Sequence, residues 1–170
     1  PYWVFDKIGL FDENLVRNQD DDFNFRIINA GGNIFYEDSI YLNYFVRSSY
    51  KNLSRQFFQY GYWKVFVNKK HKTVTTVRQL FPPFFIIYLF SIFCIVFFNR
   101  FSAVIYLLPL VLYFFMSLYF SIFIQKKSFF NLMKTFFILH VSYGLGYVYG
   151  AINFIVFNKK PSQSQKKLSR

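Results

Sequence analysis

The chain has 170 residues, enough for a single domain, and 54% of them are hydrophobic and 25% aromatic. The formal net charge is +12, and the single cysteine, Cys94, excludes an intramolecular disulfide. A composition this apolar is unusual for a soluble domain and indicates membrane segments in part of the chain.

The charged residues are distributed unevenly. All eight acidic residues lie between Asp6 and Asp38, whereas the chain from Ser39 to Arg170 contains only basic charges. A strongly basic chain is typical of proteins that bind nucleic acid or an anionic membrane surface. Because the basic residues here flank long apolar runs, and no cluster of arginine and aromatic residues stands on a soluble scaffold, we predict a membrane partner and no nucleic acid.

The first 79 residues have the pattern of the end of a soluble α/β domain. A helix is predicted over residues 20–30, with acids in its first turn and a glycine pair after it as a stop signal. Aromatic and β-branched residues predict strands over residues 33–37 and 40–46. Residues 52–67 are predicted as an aromatic, basic helix that lies in the membrane interface.

Three charge-free apolar stretches follow, and each has the length of about 20 residues that a helix needs to cross a hydrocarbon core. They cover residues 80–98, 101–124 and 135–157. The chain then divides into a soluble part (1–79), a transmembrane region of about three hydrophobic helices (80–157), and a basic, disordered tail (158–170).

The number of true spans stays open. Three spans place the basic tail on the side of the membrane away from the cytoplasm, which the positive-inside rule disfavours. A third stretch that is re-entrant or interfacial would remove this conflict, and the glycines Gly144, Gly146 and Gly150 loosen that stretch.

Three short segments near the start of the chain together form a first motif. They are Gly-Leu-Phe-Asp-Glu at 9–13, Arg-Asn-Gln-Asp-Asp-Asp-Phe-Asn-Phe-Arg at 17–26 and Ala-Gly-Gly at 30–32. Together they resemble the acceptor-side end of the catalytic domain of inverting family 2 glycosyltransferases, with Leu10 replacing a glycine and Gln19 a glutamate. The resemblance implies an α/β fold, the C-terminal piece of a GT-A catalytic domain, followed by an all-α transmembrane region.

By this resemblance, Asp20 takes the position of the catalytic base. Inverting sugar transfer requires an acceptor hydroxyl to lose its proton as it attacks the anomeric carbon, and a carboxylate within hydrogen-bond reach can accept that proton. A helix N-terminus keeps such a carboxylate ionised. Asp22 is predicted to bind the acceptor. The structural alternative is that the three aspartates only cap a helix and face water.

A second motif, Arg-Gln-Phe-Phe-Gln-Tyr-Gly-Tyr-Trp-Lys at 55–64, resembles a segment of the exopolysaccharide glycosyltransferases of the succinoglycan-biosynthesis type. The resemblance implies that Gln56, Gln59 and Tyr60 bind the acceptor, since an aromatic ring suits a sugar ring and amides suit hydroxyls. The alternative is an interfacial helix anchored by its aromatic residues, and both roles can coexist.

A third motif, His-Val-Ser-Tyr-Gly-Leu-Gly, begins at His140 inside the last apolar stretch, and the same glycosyltransferases look similar there. Gly146 and Gly150 form a face of small residues that allows close helix packing. For His140 we predict a hydrogen bond between helices rather than a metal site, because His71 is the only other histidine and no ligand cluster accompanies either.

The resemblance implies a bacterial enzyme of the inner membrane, multi-pass, with a cytoplasmic catalytic part. It would transfer a sugar from a nucleotide-sugar to a lipid-linked or saccharide acceptor. A divalent metal, Mg or Mn, is expected in the full-length enzyme, with ligands outside this chain. Since the chain begins at Pro1, we interpret it as a fragment that is inactive alone because the nucleotide-binding half lies upstream. The alternative function is a non-enzymatic polytopic membrane protein, a transporter fragment or assembly scaffold.

Overall fold

The computed structural model describes residues 2–43, 49–98, 104–124 and 129–161, and its regular elements in these ranges are helices. In chain order they are α1 (Tyr2–Ile8), α2 (Gln19–Asn29), α3 (Tyr50–His71), a 3-10 turn (Val77–Leu80), α4 (Phe81–Phe98), α5 (Leu108–Ile124), α6 (Phe129–Ala151) and a π-helical turn (Ile152–Val156). The last nine residues of the predicted disordered tail lie outside the described residues.

The predicted α/β fold is wrong, because no strand or sheet occurs in the described residues. Residues 33–37 carry no regular structure, and the chain turns at Asp38 and Ser39. The second predicted strand is irregular over residues 40–43, and its remainder lies outside the described residues. Phe35 and Tyr36 are 89% and 91% exposed, so their side chains pack little against the described part of the chain. Aromatic content favours a strand only where a neighbouring strand pairs with it, and the described ranges contain no such strand.

The helix predicted over residues 20–30 is confirmed as α2. Three acidic residues occupy its first turn, where the positive end of the helix dipole stabilises them. Gly31 follows in the left-handed conformation, with φ of 78°, and the Gly32 amide donates back to the Ile27 carbonyl at 2.9 Å. The glycine pair therefore ends the helix as expected.

The predicted aromatic, basic helix is also confirmed, and α3 is longer than the sequence pattern indicated. It begins where the Ser49 hydroxyl accepts a hydrogen bond from the Asn52 amide at 3.3 Å. It ends at Lys72, which has a positive φ of 52°. The second half of α3 is buried, so α3 forms the centre of the fold in the described residues.

Helices α3 and α6 run side by side in the same direction. Near the starts of the two helices, the Tyr50 hydroxyl donates to the Asn131 side chain at 3.2 Å. Farther along both helices, the Ser54 and Ser142 hydroxyls are 2.8 Å apart. Beyond the end of α6, Phe154 of the π-helical turn packs on Tyr62 in the middle of α3, with ring centroids 4.8 Å apart. The core therefore combines α3 with the loop before α2 and the π-helical turn after α6, and it comprises Leu15, Tyr62, Trp63, Val65, Val67 and Phe154.

Glycines allow this close approach. A Cβ atom on Gly146 would overlap the backbone of Phe58, and a Cβ atom on Gly61 would overlap the Tyr143 carbonyl. A Cβ atom on Gly150 would lie 2.7 Å from the Tyr62 carbonyl oxygen. The close packing predicted for Gly146 and Gly150 is thus confirmed, and α3 is the helix that they contact.

We expect Gly146→Ala to destabilise the protein. The added methyl group meets three backbone atoms of Phe58, which cannot rotate away, so the helices must separate. Overpacking of this kind costs about 1–3 kcal/mol, and the obstructing backbone places the cost at the upper end, above the roughly 1 kcal/mol that alanine gains over glycine in a helix. Thermal unfolding in detergent, followed by fluorescence of the buried Trp63, measures the loss. Leu145→Ala, at a more exposed neighbour, is the control, and an unchanged midpoint for Gly146→Ala would contradict the packing.

Two helical segments of the described chain are long and apolar enough to cross a membrane by length and composition, Val104–Phe123 and Phe130–Val156. The apolar segment Val77–Ile92 is shorter. The division of the chain at residues 79 and 157 and the count of three spans stay predictions. The core nevertheless includes residues from both sides of the first boundary.

Polar contacts join the apolar helices. The Tyr113 hydroxyl of α5 lies 2.9 Å from Nδ1 of His140 in α6, which confirms the predicted hydrogen bond between helices for this histidine. Gly144 of α6 lies against the backbone of Pro82 at the start of α4. These contacts fix α4 and α5 on the face of α6 that α3 leaves open.

Candidate functional site

A cavity of about 800 Å³ opens between α2, α3, the start of α4 and the middle of α6. Its size is within the usual range for small-molecule sites. The loop before α2 and the first turn of α2 form one wall, and the 3-10 turn forms another. Its polar and charged lining residues are Arg17, Asn18, Gln19, Asp20, Asp21, Tyr60, Lys64, Thr76, Arg78, Gln79, His140 and Tyr143.

Asp20, the predicted base, lies on the wall of this cavity. Within the described residues its carboxylate makes no hydrogen bond or ion pair, and the residue is exposed. Its neighbour Asp21 is engaged instead: Nζ of Lys64 lies 2.8 Å from its Oδ2 atom, and the Asn18 amide donates to the same oxygen at 2.8 Å. The cavity therefore presents one available carboxylate beside a neutralised one.

Asp22 lies outside the cavity and is fully buried. Its Oδ2 atom accepts a hydrogen bond from Nε of Arg26 at 3.1 Å. Its Oδ1 atom lies 2.9 Å from Nζ of Lys70 and 2.7 Å from Nε2 of His71. Burial opposes ionisation of Asp22, but the hydrogen bonds from Lys70 and His71 outweigh it and lower the pKa of the carboxyl below its usual value.

This ion cluster, defined as Asp12, Asp22, Arg26, Lys70 and His71, fastens α2 to the end of α3. Nζ of Lys70 also reaches Oδ2 of Asp12 at 2.7 Å. The Arg26 guanidinium donates to the carbonyls of residues 8–10, including the Leu10 carbonyl at 2.8 Å. The cluster thereby sets the position of the first turn of α2, which carries Asp20 and Asp21 into the cavity wall.

Of the residues predicted to bind acceptor, Tyr60 lines the cavity, and the other three do not. The Gln56 amide donates to the Tyr60 hydroxyl at 2.7 Å and so orients it. Gln59 is buried, and its Oε1 atom accepts a hydrogen bond from Nε of Arg17 at 3.2 Å. Both glutamines thus stand behind the wall and orient a side chain that faces the cavity.

Arg17, Lys64 and Arg78 also line the cavity, although no role in the site was predicted for them from the sequence. A signal existed for Lys64, which stands four residues after Tyr60 and therefore on the same face of a helix. Arg17 was part of the first motif. Arg78 gave no signal, because its place on the wall follows only from the way α4 packs on α6.

The cavity does not fit a divalent metal. No group of three or more histidine, cysteine, aspartate or glutamate side chains suited to a metal occurs in the described part of the chain. The carboxylate of Asp21 already binds the ammonium group of Lys64, whose positive charge would repel a nearby cation. No chemical step in this cavity is therefore assigned to a metal.

No family model and no solved structure matches the chain. The chain is similar to the succinoglycan biosynthesis protein ExoA of Rhizobium meliloti (strain 1021), at 30% identity over 79 residues. The matched part is 46% of this chain and 24% of that relative, so the chain spans about a quarter of the relative's length. This similarity supports a distant relationship between the chain and that succinoglycan biosynthesis protein.

Proposed function

We propose that this chain is part of a membrane-bound glycosyltransferase of cell-surface polysaccharide synthesis. It would transfer a sugar, with inversion, from a nucleotide-sugar to a lipid-linked or saccharide acceptor. The observation that carries the proposal is the Asp20 carboxylate, which lies without a partner among the described residues on the wall of a cavity of about 800 Å³. The similarity to a protein of succinoglycan biosynthesis supports the same class of reaction.

In this proposal Asp20 is the general base. It accepts the proton of an acceptor hydroxyl while the oxygen attacks the anomeric carbon, and the nucleoside diphosphate leaves from the opposite side, which inverts the configuration. A general base needs a carboxylate that is not already bound to a cation. Asp20 meets this condition among the described residues, whereas Asp21 is bound to Lys64 and Asp22 is buried in the ion cluster.

Tyr60 is proposed to hold the acceptor, since its ring lies on the cavity wall and its hydroxyl is oriented by Gln56. Gln59 is proposed to act through Arg17, to which it is hydrogen-bonded. For Asp22 we propose a positioning role, because it lies behind the wall and holds the helix that carries Asp20.

The full-length protein is proposed to bind the nucleotide-sugar and a divalent metal through residues outside this chain. The protein is proposed to lie in the inner membrane, with the cavity on the cytoplasmic side. The two apolar segments that are long enough to cross a membrane support the membrane part of this proposal. That arrangement would bring a lipid-linked acceptor to the cavity, since α6 contributes both to the apolar region and to the cavity wall.

The test is a transfer assay with membranes that contain the full-length protein, a panel of labelled nucleotide-sugars and a lipid extract as acceptor. Transfer of label from one donor to the extract is the expected result, absent from membranes without the protein. If the folded protein transfers no sugar from any donor, the proposal fails. A scaffold function would then be favoured by the glycine contacts that join α3, α4 and α6.

A further inference from the structure

The cavity walls carry more basic than acidic groups. Lys64 and Asp21 neutralise each other, with 2.8 Å between the ammonium nitrogen and the carboxylate. The guanidinium groups of Arg17 and Arg78 then face one carboxylate, that of Asp20. All eight acidic residues lie in the described ranges, and none of them forms an ion pair with Arg17 or Arg78 there. The cavity therefore keeps a surplus of positive charge.

Arg17 is held in place before any ligand arrives. Its Nε atom donates to the Oε1 atom of Gln59, which is only 6% exposed and so has little freedom to move. The two terminal nitrogens of the Arg17 guanidinium group form no hydrogen bond or ion pair with the described residues, and they are therefore available to a ligand. Their forked geometry matches the oxygens of a phosphate or a carboxylate better than an ammonium group does.

The surplus charge lies where polar and apolar surfaces meet. Arg78 belongs to the 3-10 turn that leads directly into the apolar helix α4. Pro82 from α4 and Leu139 from α6 complete the same cavity wall. A ligand with an anionic head and an apolar tail fits this boundary, since its head can reach the arginines while its tail lies along α4 and α6.

We propose that Arg17 and Arg78 bind the phosphate or diphosphate group of a phosphorylated ligand in this cavity. The proposal rests on the proposed function and assigns phosphate recognition to that same site. Two sources share this chemistry, a lipid phosphate that carries the acceptor and the diphosphate of a nucleotide. In both cases Asp20 would face the sugar, because its negative charge repels the phosphate toward the arginines.

The test is direct binding of inorganic pyrophosphate to the purified full-length protein in phosphatidylcholine nanodiscs, measured by titration calorimetry. Arg17→Gln and Arg78→Gln are each expected to weaken binding about 10- to 100-fold, the loss typical of a hydrogen bond to a charged group. Lys51→Gln, which removes one positive charge from an exposed position early in α3, is the matched control and should bind like the unmodified protein. Fluorescence of the buried Trp63 checks that each variant is folded.

Two further arms identify the source of the phosphate. A polyprenyl phosphate in the nanodiscs and a soluble nucleoside diphosphate are each tested as competitors of pyrophosphate, and the stronger competitor identifies the source.

Arg17→Lys keeps the positive charge but loses the forked geometry of the guanidinium group, so binding of intermediate strength is expected. This variant replaces Arg17→Gln in the test if Arg17→Gln fails to fold. The proposal would be overturned if both glutamine variants bound pyrophosphate as well as the unmodified protein does. It would also be overturned if the control Lys51→Gln lost as much binding as they do, or if the unmodified protein bound no pyrophosphate. Because binding is measured without turnover, pyrophosphate binding without sugar transfer would refute the proposed function and leave this subsite standing.

Discussion

Asp20→Asn is expected to lower the rate of sugar transfer by about 10²- to 10⁴-fold in membranes that contain equal amounts of the full-length protein. Asparagine keeps the size and the hydrogen-bonding oxygen of the side chain but cannot accept the proton of the acceptor hydroxyl. Since Asp20 is exposed and has no partner among the described residues, the substitution should leave folding nearly unchanged. The measurement is the initial rate of label transfer from the active donor.

The control for this experiment is Glu13→Gln, which also removes one exposed carboxylate near the start of the chain but lies outside the cavity. It should keep the rate of the unmodified protein. An Asp20→Asn protein that transfers sugar at the normal rate would show that another group is the base, while the proposed sugar transfer would stand. A loss in both variants would indicate a general effect of charge.

The second large effect is expected for stability. Asp22→Asn should lower the unfolding midpoint because it leaves Arg26, Lys70 and His71 clustered without their shared carboxylate. Breaking a buried ion pair from one side costs about 3–5 kcal/mol, and the partial exposure of the Lys70 side chain reduces this to roughly 2–3 kcal/mol. The midpoint should then fall by about 4–10 °C. Asp20→Asn, the same substitution two residues earlier, is the matched control and should shift the midpoint much less, because it removes only the favourable contact with the helix dipole.

The ion cluster also predicts how stability depends on pH. The pKa of Asp22 is lowered in the folded protein, so its contribution is present above the unfolded pKa of about 3.9 and is lost as the pH falls through the folded pKa. For Lys70, burial opposes the charge, but Asp12 and Asp22 outweigh it and raise the pKa. Its contribution is present below the unfolded pKa of about 10.4 and is lost as the pH rises through the folded pKa.

Unfolding midpoints measured across pH 3 to 11 test this dependence. The unmodified protein should lose stability at both ends, and Asp22→Asn should show a smaller loss at the acid end because the titrating carboxylate is gone. Parallel curves for the two proteins would indicate that Asp22 does not contribute to the acid limb.

The helices could be predicted from the sequence because their signals are local. The acids and the glycine pair around α2 act within one or two turns, and the long amphipathic pattern of α3 requires no partner to be recognised. The strands could not be predicted in the same way. The aromatic residues near Tyr36 satisfy the local preference for a strand, but a strand also needs a neighbouring strand, which is a property of the whole fold.

In the candidate site, too, local features could be predicted from the sequence, whereas contacts between distant segments could not. The placement of Asp20 at the start of a helix followed from a motif that lies within a few residues. The burial of Asp22 and Gln59 did not, since Lys70, His71 and Arg17 reach them from other segments. A run of three aspartates gives no local sign of which one faces a cavity, which one pairs with a lysine and which one is buried.

The side-by-side course of α3 and α6 constrains the order in which the protein assembles. Ser54 and Ser142 touch although 88 residues separate them in the chain. During synthesis α3 emerges first, and its Gly61 face has no partner until α4, α5 and most of α6 have been made. Contacts across such a distance form late, because a long loop must close first. The cavity wall that contains His140 and Tyr143 therefore forms late, and the site is complete only when α6 packs against α3.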